Sequence, residues 1–573
     1  MQLELTCHFT VIQTFTIERG LASRMQQPEV KPGGKTIMLQ GTASDVGKSI
    51  LTTALCRIFV QDGFRTAPFK SQNMSLNSYV TPDGKEIGRA QGLQADACRI
   101  AATTDMNPIL LKPVKDMTAQ VVVHGRPLRN YEARAYREEY LEEAGGIVRE
   151  ALGRLRETYS LVVIEGAGSP AEINLKDRDI VNMRLAGWAD APVILVADID
   201  RGGVFASIVG TLELLEPHER DRIKGFVINK FRGDVSLLKP GLDWLEERTG
   251  KPVLGVIPYL PRLGLEDEDS ASLDTKREQN RRKAANSLKE SGTGTPLQQP
   301  EGSAAAGSGS SAGGQAPGSP KLDIAVLRLP RLSNFTDFDP LDEEPDVELR
   351  YVEHPGEWGN PDAVILPGSK NTMDDLAFLR DAGLADKLLE HRAAGRAILG
   401  ICAGYQMMGR RLLDPGHVES DRDEAEGLNF FPVETVFTPV KKTVRVEGTG
   451  SLFAEQNLHP VEGYEIHMGE SRFLEPVSHP FRVSESVVSM ERAEPHAEGT
   501  QSEDGVVWGT YIHGILHNDT LRRSWLNRLR MHRGWPPEEE LLQFGKRRDE
   551  AIDRLAEHVR SHLDMERIYA MIE

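Results

Sequence analysis

Twice along this chain, short apolar runs alternate with longer helical patterns. Thr36–Gln40, Leu161–Ile164, Val193–Val196, Gly225–Ile228 and Val253–Ile257 form one series, and Leu322–Leu327, Ala363–Leu366 and Ala397–Ile401 form another, with Val506–Ile512 as a late member. Runs this short and this uniformly apolar suit strands covered on both faces. Only a parallel sheet flanked by helices covers them so. The pattern predicts an α/β protein of two doubly wound domains. At 573 residues the chain is also too long for a single core.

A change of composition separates the series. Ser291 to Pro320 is rich in Gly, Ser, Ala, Pro and Gln, and the charged stretch before it begins at Glu266. Such a segment buries too little apolar surface to offset its ordering entropy. The chain is therefore divided into an N-terminal extension (1–35), a first domain (36–265), a linker (266–320), a second domain (321–520) and a charged, helical tail (521–573) expected to pack on the second domain. The opening residues are mildly apolar but lack a basic start, so they are not read as a signal peptide. Met25 is an alternative start.

The formal net charge of −18 leaves no basic surplus for phosphate backbones, which argues against general nucleic-acid binding. No apolar run is long enough to span a membrane. Four cysteines (Cys7, Cys56, Cys98, Cys402) fit neither a disulfide framework nor a zinc site. A reducing cytoplasm is the expected compartment.

Gly41-Thr42-Ala43-Ser44-Asp45-Val46-Gly47-Lys48-Ser49 follows the first apolar run and opens a helix. Glycines let the backbone curl so that several N–H groups face one anion, and the helix dipole adds to that field. Gly41, Thr42 and Gly47 would line the phosphates of a nucleotide such as ATP, Lys48 would reach the terminal ones, and Ser49 would sit on Mg²⁺. Glu165, at the end of the Leu161 run, is the expected second metal ligand, because Mg²⁺ takes one or two carboxylates with phosphate oxygens and water. Asp198 and Asp200 are weaker candidates that read equally well as cap or loop residues. Asn229 ends another run, where a nucleotide base would lie. The block Phe69–Ser78, with Lys70, Gln72 and Asn73, is too polar for a core strand. With Gly88–Gln91 and Met106–Pro113, it suits a carboxylate-rich, amide-bearing substrate.

In the second series, Ile398-Leu399-Gly400-Ile401-Cys402-Ala403-Gly404-Tyr405-Gln406 places one thiol on a strand-to-helix bend. This parallels the nucleophile elbow of serine hydrolases. The helix N-terminus favours the thiolate, and backbone N–H groups from Ala403 onward would face an oxyanion. A thiol nucleophile needs a base. His513, at the end of the late strand, is the best placed. His517 is less so, and His467 reads as a binding-loop residue. Gly368, in Leu366-Pro367-Gly368, would supply a second oxyanion N–H.

These residues resemble two known families. Gly-x-Cys-x-Gly-x-Gln is similar to the nucleophile motif of class I (triad-type) glutamine amidotransferases, which have a flavodoxin-like fold. The resemblance implies a thioester role for Cys402, a proton-transfer role for His513 and glutamine binding by Gln406. One position departs: where triad members carry glutamate two residues after the histidine, this chain has Ile515. It thus resembles the subgroup that relies on a Cys–His pair. The phosphate loop, with one residue more than the standard Walker spacing, resembles that of dethiobiotin synthetase, in which the acidic position matching Asp45 helps hold metal. Both domains in this order resemble the cobyric acid synthases. That resemblance implies ATP- and glutamine-dependent amidation of the b, d, e and g carboxylates of adenosylcobyrinic acid a,c-diamide in cobalamin biosynthesis. Small molecules would then be the partners. The same chemistry by a cobyrinic acid a,c-diamide synthase, a non-catalytic amidotransferase-like binding protein, and a cysteine hydrolase with an ATP-sensing domain are the alternatives.

Overall fold

The computed structural model describes residues 33–266 and 320–573, apart from 116–117, 133–135, 137–139, 262, 453–456 and 487–493. The extension before residue 33, Met25 included, and the linker from 267 to 319 lie outside the described residues.

The first domain is built on a six-stranded parallel sheet, ordered Val253–Pro258, Ile223–Phe231, Val193–Asp198, Lys35–Gly41, Leu161–Glu165, Thr66–Phe69. Successive side chains of a strand point to opposite faces. Met38 accordingly belongs to one apolar layer with Val162 and Leu195, while Ile37 and Leu39 belong to the other with Val163 and Ile194. Every apolar run of the first series is a strand of this sheet. Thr66–Phe69 went unanticipated, because it is short and holds Pro68. As an edge strand it tolerates a residue that cannot donate to the ladder.

The second domain repeats the plan in the strand order Val347–Val352, Leu322–Leu327, Ala363–Leu366, Ala397–Ile401, Val507–Thr510, with Thr500–Gln501 antiparallel at the edge. Numbered along the chain, the parallel strands run 2-1-3-4-5, the flavodoxin order. The late strand is shorter than Val506–Ile512. Val347–Val352 escaped the apolar-run criterion because its Glu348, Arg350 and Tyr351 leave it half exposed. A second, largely antiparallel sheet adds the long strands Val433–Gly450 and His459–Phe473.

The tail corrects an expectation. The helix Asp519–His532 packs on the second domain, through Trp525, Leu526 and Leu529. The helix Phe544–Arg560 crosses back to the first domain, where Ile552, Leu555, Ala556 and Val559 join the layer of Ile37 and Leu39. Charge explains the choice of partner. Arg57 is wholly buried on the helix Lys48–Gln61, and Asp549 (2.5 Å) and Asp553 (3.2 Å) of the tail neutralise it. Glu266, taken as the linker's first residue, is also part of the folded structure. It is buried and pairs with Arg89 (3.2 Å) and with Arg548 of the tail (2.7 Å). Among the described residues no helix is long and apolar enough to cross a membrane.

Candidate active sites

Cys402 follows the strand Ala397–Ile401 and caps the short helix Ala403–Met407, with φ 52° and ψ −110°. A non-glycine residue rarely adopts such a conformation, and it persists only where the surroundings enforce it. The flanking glycines are what the surroundings demand. A Cβ at Gly404 would lie 2.0 Å from Leu366 O, and one at Gly400 would lie 2.2 Å from Met408 Sδ. The bend is thus pressed against the neighbouring strand, and Cys402 N–H donates to Thr510 O at 2.8 Å.

The strands Ala397–Ile401 and Val507–Thr510 are adjacent and parallel, with Ile401 opposite Thr510. Their carboxyl ends therefore bring Cys402 and His513 into one buried site, where Cys402 Sγ approaches Ile466 O at 3.8 Å and His513 Nε2 lies 3.3 Å from Asn334 Nδ2. On the far side, His513 Nδ1 lies 2.7 Å from Asp337 Oδ2, and Asp337 Oδ1 accepts from Gly514 N–H at 2.8 Å. Both residues are fully buried. Burial alone would pull the imidazole down, but the charges of Asp337 and Cys402 outweigh it and hold His513 up at about 10. The expected Cys–His pair is therefore completed by a carboxylate. Sequence reasoning missed Asp337 because it sits in a 3-10 turn, Phe335–Phe338, 176 positions before the histidine and outside any motif. The position searched for a carboxylate, Ile515, is a core residue.

Gly368 follows the strand Ala363–Leu366 and lies under the histidine, where a Cβ would come 3.0 Å from the His513 ring. Gln406 is buried, accepts from Thr372 Oγ1 (3.1 Å) and donates to Met468 O (2.9 Å). It lines one pocket with Cys402, Lys370, Glu419 and His467. His467 is on the strand His459–Phe473, not a loop, and stacks on Tyr511 with ring centroids 3.9 Å apart. His517 approaches Thr336 O at 3.0 Å, and burial brings it down to about 4. It is a structural histidine.

In the first domain the phosphate loop connects the strand Lys35–Gly41 to the helix Lys48–Gln61, at the carboxyl edge of the sheet where chain order reverses. Nucleotides bind parallel sheets at such points. Thr42 N–H donates to Val196 O at 2.9 Å, anchoring the start of the loop. Gly47 has φ 95°, and a Cβ there would lie 2.2 Å from Asn229 Nδ2. Asn229 itself donates to Val46 O at 2.9 Å, so it braces the loop from below. Lys48 Nζ curls over the loop to Ala43 O (3.0 Å) and to Gly168 O (3.2 Å). A Cβ at Gly41 would sit 2.9 Å from that same Nζ.

Ser49 Oγ donates to Glu165 Oε1 at 2.8 Å. Lys70 (2.9 Å) and Gln94 (2.6 Å) also reach this carboxylate. A serine hydroxyl beside a buried carboxylate is the hard-oxygen donor set that suits Mg²⁺. Asp45 has φ 58°, and its carboxylate is about half exposed and 3.8 Å from Arg201. Asp198 pairs with Lys230 (2.9 Å) and Asp200 with Arg232 (3.0 Å), which accounts for both as structural partners. Of the polar block, Gln72 accepts from Tyr136 OH (2.6 Å) and Asn73 donates to Gln91 (3.1 Å).

Comparison with known proteins agrees with both halves. Residues 37–272 match the CobQ/CobB/MinD/ParA nucleotide binding domain, and residues 323–521 match the CobB/CobQ-like glutamine amidotransferase domain. The protein named cobyric acid synthase in Geobacillus kaustophilus is 47% identical over 537 residues, covering 94% of this chain and 97% of the relative. Those of Desulforamulus reducens and Sorangium cellulosum are each 49% identical, covering 94% and 92% of this chain and 98% and 97% of the relatives. With such identity along nearly the whole length of both chains, this protein belongs to the cobyric acid synthase family.

Proposed function

We propose that the protein makes cobyric acid by converting the b, d, e and g carboxylates of adenosylcobyrinic acid a,c-diamide to amides, with nitrogen from glutamine and activation by ATP. The thiol, imidazole and carboxylate of Cys402, His513 and Asp337, joined in one chain to a phosphate loop, are the observation that carries this reading.

In the second domain Cys402 Sγ attacks the side-chain amide carbon of glutamine. His513 gives its proton to the departing ammonia, and Asp337 orients the ring and steadies its charge. N–H groups of the bend and of Gly368 face the oxyanion, and Gln406 shapes the glutamine pocket. Water, deprotonated by His513, then cleaves the thioester to glutamate. In the first domain a substrate carboxylate oxygen attacks the terminal phosphorus of ATP, giving an acyl phosphate and ADP. Ammonia attacks the acyl carbon and phosphate leaves. Gly41, Thr42, Gly47 and Lys48 hold the phosphates, and Asn229 keeps their loop in shape. Ser49 and Glu165 would hold Mg²⁺, which neutralises phosphate charge when bound. Lys70, Gln72 and Asn73 are assigned to binding the corrinoid. A working thiol, ATP and glutamine all suit a reducing cytoplasm.

Cys402→Ala separates the two halves. The variant is expected to lose glutamine-dependent amidation and to retain amidation driven by a high ammonium concentration. Lys48→Ala should lose both. Failure of ammonium to support Cys402→Ala would show that the division of labour is wrong.

A further inference from the structure

The segment of the first domain that begins near the phosphate loop ends against the histidine of the second. Lys70, bonded to Glu165, opens it, and Asn77 and Ser78 close it. Asn77 Oδ1 accepts from Phe335 N–H at 3.2 Å, at the start of the turn that carries Asp337. Ser78 N–H donates to Asn334 Oδ1 at 2.8 Å, and the same amide's Nδ2 lies 3.3 Å from His513 Nε2. Ser78 O accepts from the Tyr464 hydroxyl at 3.3 Å. The Tyr464 ring stacks on His513 with centroids 5.3 Å apart and planes 19° apart, and the two residues exchange both backbone hydrogen bonds.

Asn77, Ser78, Asn334, Tyr464, Asp337 and His513 are all buried. Burial and the neighbouring Asp337 charge push the Tyr464 hydroxyl up, so it stays protonated and able to donate. Ser78 is therefore gripped at its N–H and its C=O by two side chains of the second domain, and each of these also touches His513. A catalytic base held by such contacts loses rate when they slacken, because small misplacements of reacting groups are costly.

We infer that Asn77 and Tyr464 are positioning residues for glutamine hydrolysis, and that the Asn77–Ser78 turn of the ATP domain is a working part of the amidotransferase site. The inference rests on the glutaminase reading of Cys402 and His513. It makes the glutaminase dependent on the docked ATP domain through this turn.

The test compares Asn77→Ala, which removes the acceptor for Phe335 N–H, and Tyr464→Phe, which keeps the stacked ring and removes the hydroxyl. Glutamine hydrolysis is measured in the full chain, with ammonium-supported amidation as the internal reference. Each variant is expected to lower the glutaminase kcat about tenfold with the glutamine KM and the ammonium-supported rate kept. The double variant should lose less than the product of the single losses, because both act on one linkage. A merely structural role would lower both activities together. Wild-type glutaminase kcat in Tyr464→Phe overturns the inference even where Asn77→Ala fails to fold. A wild-type chain that hydrolyses no glutamine overturns the glutaminase reading itself, and the inference with it.

Discussion

Asp337 decides how His513 behaves. A buried imidazole is ordinarily driven toward neutrality, yet this one is held up at about 10 by the carboxylate behind it and the thiol in front. Asp337→Asn keeps the shape and removes the charge. The glutaminase kcat should fall on the order of 10²-fold, while ammonium-supported amidation stays as it was. The sign of the stability effect follows from linkage. The folded-state value lies above the ordinary 6.5, so the stabilisation is full below pH 6.5 and is lost as pH rises through about 10. Thermal unfolding of the wild type at pH 6 and at pH 10 should therefore differ more than that of the variant. Equal kcat in the two proteins would remove Asp337 from the mechanism. Cys402 and His513 were legible in the sequence because a bend between glycines and the end of an apolar strand are local signals. Asp337 was not, because its role arises only when the turn after one strand folds over the end of another.

Among elements, the parallel strands were the most legible, since a strand buried on both faces advertises itself as an unbroken apolar run. The edge strand Thr66–Phe69 is too short and is broken by Pro68, while Val347–Val352 and the long antiparallel pair Val433–Gly450 with His459–Phe473 carry too many polar residues to do so. The tail helices were legible as helices, but their partner was not. An amphipathic stripe says that a helix is covered on one side and is silent about what covers it. For the helix Phe544–Arg560 the cover is the first domain, and Glu266 helps fix it. Burial would raise this carboxyl, but Arg548 and Arg89 outweigh burial and hold it at about 2, below the ordinary 4.5. Its stabilisation is present above pH 4.5 and is lost as pH falls from 4.5 toward 2. Glu266→Ala leaves buried cations without their shared partner and should cost on the order of 3 kcal/mol. Hydrogen exchange of the helix Phe544–Arg560 is expected to rise selectively in the variant and, on acidification, in the wild type. Unchanged exchange under both conditions would contradict this account of the tail.

At the scale of the whole molecule, the linker between the two doubly wound domains left their relative placement open. The fold joins them closely. Arg445 donates to Val80 O at 2.7 Å, Lys112 of the first domain lines the pocket of Cys402, and Glu86 is bound by Lys112 and by Lys441 of the second domain. The carboxylate of Glu86 is held far below its usual range: burial opposes this, and the two lysines prevail. None of these contacts has a signature in the sequence, because each joins residues of ordinary type that only the tertiary structure brings together. They put the source of ammonia and the site of its use into one assembly, which is what a corrinoid with several carboxylates to amidate requires. The most direct measurement is the mass of the corrinoid recovered after the purified protein is incubated with adenosylcobyrinic acid a,c-diamide, Mg-ATP and glutamine. The expected result is conversion to the product carrying four further amides, abolished when either ATP or glutamine is omitted. Consumption of ATP and glutamine with the a,c-diamide unchanged, or amidation only of corrinoid that lacks the a and c amides, would contradict it.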